Sequence, residues 1–98
     1  GSFIVYSPVF ASETEQCYKN AEVIAFVTLE RDKGRSSNEL KTTNSHLNFL
    51  VEFVFSPFGN QYNIFSHYYS YLETCIYFNG DSSKIEEYMK NLLVANNA

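Results

Sequence analysis

Cys17, Cys75, His46 and His67 are the residues of this 98-residue chain whose types suit nucleophilic or metal chemistry. Neither histidine stands at a ligand spacing from a cysteine or from the other histidine, so no metal site is expected. The nearest approach to a nucleophile and base is Cys75 with His67, which adjacent strands would bring together. No helix N-terminus or basic cluster is placed to lower the thiol pKa, so a half-buried strand cysteine is the plainer reading. The carboxylate pairs Glu13 with Glu15 and Glu86 with Glu87 fall in a polar connector and on a solvated helix face. No glycine-rich phosphate loop and no CxxC occurs. The expectation is a chain with no catalytic residues, no cofactor and no metal.

The cysteines are far apart in the sequence, have no third or fourth partner, and are accompanied by no N-x-S/T sequon. That usage fits a reducing compartment, nuclear or cytoplasmic, better than a secretory one, with pairing of the two as the lesser alternative. The only basic cluster is "RDKGR", with Arg31, Lys33 and Arg35 in one loop. A basic hairpin loop is how pleckstrin-homology-like domains hold phosphoinositide head groups, which makes these three the anion-binding candidates and brings a membrane surface into play on that reading alone. The formal charge of -4 and pI near 5.0 weigh against it and against nucleic acid, since both ligands need clustered cations to neutralise phosphate. A solvated loop tip is the plainer reading.

These side chains must be placed by one domain. The hydrophobic fraction of 45% with only 18% charged residues is that of a globular chain, and residues 3–98 are too few for two cores. Gly1-Ser2 resembles the remnant of tag cleavage, so the chain reads as a fragment. The longest apolar runs span a few residues, well short of the roughly 20 needed to cross a membrane.

Period-two alternation predicts most of the elements. Residues 47–55 place Leu47, Phe49, Val51, Phe53 and Phe55 on one side, and residues 21–30 alternate Val23, Ala25, Val27 and Leu29 against Ile24 and Phe26. "FIVYSPVF", residues 3–10, reads as an edge strand or one that breaks at Ser7, because Pro8 lacks an N–H. The loop 31–46 has room for a short edge strand near residues 39–42. Residues 62–70 and 71–78 read as one or two further strands, closed by the "NGD" turn. Only the C-terminal stretch from Asp81 onward reads as a helix, with Ile85, Tyr88, Met89, Leu92 and Leu93 on one stripe and a capping box of Ser83 with Glu86.

The predicted fold class is therefore α+β: an antiparallel meander of four to six strands with one packed C-terminal helix. One helix cannot cover so many strands, which leaves aromatic side chains for a partner. Phe58, Tyr71 and Tyr77 are the candidate partner-binding residues, and self-association as a dimer is the companion expectation.

The C-terminal portion supplies a resemblance. Phe55-Ser56-Pro57 at a strand end, Tyr71-Leu72 opening and Phe78 closing the last strand, and Ser83 and Tyr88 at the start and middle of a helix resemble the globular head of monopolin-type chromosome-segregation proteins. Those heads are relatives of the RWD-like domains of kinetochore subunits. The resemblance implies a non-enzymatic adaptor that dimerises within a larger assembly. Longin-like and pleckstrin-homology-like domains, binding a trafficking partner or phosphoinositide, are the alternative.

Overall fold

A 3.6-residue period runs through Cys17, Ala21, Ile24, Thr28 and Arg31, and it extends beyond the apolar run 21–29 at both ends. In the computed structural model, which describes the backbone of residues 7–97 and the side chains of 13–96, this period belongs to one long helix, α1, Ser7–Asp32. Three more helices follow: α2, Ser45–Phe55; α3, Ile64–Tyr77; and α4, Ser82–Asn97. Short 3-10 turns at Ser37–Leu40 and Gly59–Gln61 lie in the connections. No strand is present among the described residues, so the expected sheet, and with it the likeness to an RWD-like head, is overturned.

Each misread segment has an identifiable cause. Residues 21–29 and 47–55 are so continuously apolar that both periods fit them. The residues actually buried are Cys17, Ala21, Ile24, Val27, Thr28 and Glu30 on α1, and His46, Leu50, Val51, Phe53 and Val54 on α2. Pro8 lies in the first turn of α1, where a missing N–H costs no hydrogen bond. Residues 7–10 of the expected edge strand are thus helical, while residues 1–6 lie outside the described residues. The strand expected near residues 39–42 is replaced by the first 3-10 turn, after which the Asn48 side chain clamps Thr42 through two 2.7 Å hydrogen bonds. Residues 64–77 form a single helix whose buried face is His67, Tyr71, Leu72 and Cys75.

The helix boundaries follow from short polar side chains and residues that tolerate positive φ. Asn44 caps α2 by accepting from the Leu47 N–H at 3.0 Å, and Asn63 caps α3 by accepting from Ser66 at 2.9 Å. α1 ends with Gly34 at φ 96° and a 3.0 Å bond from the Arg35 N–H to the Glu30 carbonyl. α3 ends in the same way, with Asn79 at φ 54° and Gly80 donating to Cys75 at 2.8 Å, so the "NGD" turn is real but closes a helix. α4 is the element expected from its stripe, although Asp81 caps it in place of the Ser83 and Glu86 box. Ile85 and Met89 are buried, Leu92 and Leu93 half-buried, and Tyr88 exposed.

α1 and α3 run antiparallel. Cys17 in the N-terminal half of α1 is bonded to Cys75 near the end of α3, and Arg31 near the end of α1 reaches the Tyr62 carbonyl just before α3 begins. The expectation of free thiols is corrected here: the two cysteines form a buried disulfide. α2 packs across α1, and α4 closes the remaining side against α2 and α3. The core between them holds Ile24, Leu50, Val51, Val54, Tyr71 and Ile85, all essentially without exposure.

Candidate functional site

Four polar side chains, one from each helix, meet at the edge of this core, His46 and Tyr71 buried and Asn20 and Glu86 half-buried. Asn20 Nδ2 donates to Tyr71 Oη at 3.2 Å, Tyr71 Oη lies 2.8 Å from His46 Nε2, and His46 Nδ1 lies 2.8 Å from Glu86 Oε2. One assignment satisfies every member. His46 carries its proton on Nδ1 and donates to the Glu86 carboxylate, leaving Nε2 to accept the Tyr71 hydroxyl proton while Asn20 occupies a lone pair of the same oxygen.

A carboxylate, an imidazole and a hydroxyl in line can activate a nucleophile. Here the hydroxyl is a phenol with 2% exposure, and burial pushes its pKa up, an effect the Asn20 hydrogen bond opposes and the Glu86 charge reinforces. The low-dielectric surroundings disfavour phenolate. The network is a fully satisfied polar spine that fixes the four helices relative to one another.

The residues expected to carry Cys–His chemistry are kept apart. Cys75 is committed to the disulfide, and His67 Nε2 donates to the Gly59 carbonyl at 2.7 Å. Burial holds the His67 pKa below its ordinary value, assisted by the Arg31 charge and opposed by the Gly59 hydrogen bond and by Asp32.

The three anion candidates are likewise engaged within the chain. The Arg31 guanidinium is turned inward, donating to the carbonyls of Val54 at 3.3 Å, Gly59 at 3.1 Å and Tyr62 at 2.9 Å and pairing with Asp32. It ties the end of α2 and the following turn to α1 through their carbonyls, sharing that of Gly59 with His67. Lys33 and Arg35 flank the buried Glu30 at 3.3 and 3.5 Å. Among the described residues no group of three or more His, Cys, Asp or Glu could hold a metal ion.

The partner-binding candidates separate too. Tyr71 is core. Phe58 is half-buried, edge-on to Phe53 at 5.9 Å and beside Tyr62 at 5.1 Å. Tyr77 is 79% exposed and stands edge-on to Phe78 at 4.9 Å, and Phe78 in turn lies 6.1 Å from Tyr88. These three rings form the outer part of a cleft between α3 and α4, helices that touch only lightly.

The cleft has two continuous parts. A groove of about 590 Å³ runs past Glu73, Thr74, Tyr77, Phe78 and Tyr88. A pit of about 160 Å³ opens from the same Glu73, Thr74 and Tyr88 and descends to Ile24, Phe53, His67, Tyr71 and Met89. The lining is mixed: Ile24, Phe53, Met89, Leu92 and the Tyr71 ring stand beside the His67 imidazole, the hydroxyls of Ser70 and Thr74 and the Glu73 carboxylate.

Of the cleft residues, Tyr71 and Tyr77 were singled out in the sequence as partner-binding candidates and His67 as a base. Tyr88 stood at the edge of an apolar helical stripe and read as core, and Phe78 read as the end of a strand. Asn20, His46 and Glu86 give no local signal, because their meeting depends on how four helices pack.

No family model matches the chain, and no curated protein and no solved structure is similar enough to match it. No helix among the described residues is long and apolar enough to cross a membrane.

Proposed function

We propose that this chain is a non-enzymatic recognition module that seats a segment of a partner protein in the cleft between α3 and α4. One contrast carries the reading. The imidazoles, the Cys17 and Cys75 sulfurs and the Arg31 guanidinium are engaged with other groups of the chain, while Tyr77, Phe78 and Tyr88 line an open groove that adjoins a pit walled by both apolar and polar side chains. Rigid aromatic rings around a pit large enough for one side chain are the make-up of an interface hot spot, where a single desolvated anchor supplies most of the affinity. The opening at Glu73 and Thr74 connects pit and groove, so an anchored residue leaves room for its neighbours.

The buried Cys17–Cys75 bond supports an oxidising surrounding, the extracellular space or a secretory lumen, in place of the nuclear or cytoplasmic setting expected from the cysteine count. Self-association, the companion expectation, is one outcome of the same test.

Selection of a random peptide display library on the oxidised protein tests the proposal. Enriched peptides should lose binding to a Tyr77→Ala, Tyr88→Ala double variant and keep it for Phe26→Ala, which removes an exposed ring on α1. Enrichment indifferent to the double variant, or no enrichment at all, overturns the cleft as a docking site. Sedimentation of the free protein over a hundredfold concentration range distinguishes a peptide receptor from a dimer that occupies its own groove.

A further inference from the structure

The charges around the cleft are one-sided. Glu73 lines both the pit and the groove, and no lysine or arginine lines either. The only other titratable groups in their walls are the tyrosines Tyr71, Tyr77 and Tyr88 and His67, whose proton is given to the Gly59 carbonyl. Lys84 enters only on the outer shelf, beyond Tyr88, where Glu87 accompanies it. The rings of Tyr77, Phe78 and Tyr88 add to this field, because an aromatic face is the negative pole of the ring quadrupole and attracts a cation held over it. The chain as a whole carries a formal charge of -4, so the long-range potential points the same way.

We infer that the cleft recognises a protein segment in which an apolar side chain is followed by a lysine or arginine. This rests on the reading of the cleft as a docking site and adds the chemistry of what docks. The apolar side chain enters the pit, whose 160 Å³ is close to the roughly 150 Å³ of a cavity that holds benzene, so a Leu or Phe side chain fits while an indole overfills it. The cation stays at the mouth, between the Glu73 carboxylate and the faces of Tyr77 and Tyr88, partly hydrated. Because this pairing is near the surface, its effect is a modest discrimination among segments, about two- to fivefold in affinity for cation over neutral, and it is screened by salt.

Three dipeptide probes test this by backbone amide NMR titration of the oxidised protein: Ac-Phe-Lys-NH2, Ac-Phe-Gln-NH2 and Ac-Phe-Glu-NH2. The expected result is a set of shifts centred on Thr74, Tyr88 and Met89, with affinity falling in the order Lys, Gln, Glu, and a Lys-to-Glu spread that shrinks in Glu73→Gln and in 1 M salt. Glu73 is exposed, so its replacement leaves the fold intact, as unchanged amide positions away from the cleft will verify. Equal affinity for the three probes, or a spread that survives Glu73→Gln, overturns the cation preference and leaves the docking reading standing. No shifts at the cleft with any probe overturns the inference as a whole, and the display selection then decides separately whether the cleft docks longer segments.

Discussion

The hydroxyl of Tyr71 and the imidazole of His46 lie 2.8 Å apart in the centre of the four helices, each completing the other's hydrogen bonding. Tyr71→Phe removes the oxygen and leaves both His46 Nε2 and Asn20 Nδ2 without it. An unpaired polar atom away from water costs about 1–3 kcal/mol, so the variant should lose about that much stability in urea unfolding. A variant in which Asn20→Leu accompanies Tyr71→Phe should lose less than the sum of the two single changes, because both act on one network.

Cys17 and Cys75 enclose a loop of 58 residues, and in the chain-entropy account closing such a loop stabilises the native state by about 4 kcal/mol. Urea unfolding with and without a phosphine reductant should differ by roughly that amount. Thiol titration of the unreduced protein in denaturant should find no free thiol, and detection of two would refute the pairing.

Gly59 and Gly34 should respond differently to alanine. A Cβ on Gly59 would run into the Phe53 carbonyl oxygen and lie 3.0 Å from Val54 Cα, both backbone atoms that cannot turn aside. Gly34 has open space around it, and its φ of 96° is the only obstacle. Gly59→Ala should cost about 3–5 kcal/mol, like other severe steric misfits, and Gly34→Ala about 1–2 kcal/mol. Comparable melting temperatures for the two variants would show that the close approach at Gly59 is wrong.

His67 gives stability a pH dependence whose sign follows from its lowered pKa. Above about pH 6.5 the ring is neutral in both the folded and unfolded chain, so the cost of burying a charged imidazole does not arise. As pH falls below that value the unfolded chain binds the proton first, so stability declines until the lower folded pKa is passed. Thermal melts between pH 7.5 and 5 should show this decline, and His67→Gln, whose amide can still donate to Gly59, should flatten part of it. An unchanged slope in that variant would place the pH dependence elsewhere.

Helix α4 and the break at Asn79-Gly80, read as the end of a strand, were legible in the chain, because a helical stripe bounded by polar residues and a residue that tolerates positive φ are local properties. Residues 21–29 and 47–55 were not, since a nearly unbroken apolar run satisfies a period of two and a period of 3.6 equally. The information that separates them lies outside the runs, at Cys17, Arg31 and His46, where only the helical period continues. The same division holds for the site. Tyr77 was chosen with Tyr71 as an aromatic on the uncovered face of an expected strand, and in the helical fold it is exposed and lines the cleft. Tyr71, with the same ring, is buried, and Arg31, in a cluster that looked solvated, faces inward, because burial is settled by which helix covers a side chain. The bond between Cys17 and Cys75 and the meeting of Asn20, Tyr71, His46 and Glu86 join positions distant in sequence. Such contacts have no local cause: they form when antiparallel packing of α1 on α3, and of α2 and α4 beside them, brings four polar groups together and buries Tyr71 and His46, which must then find partners.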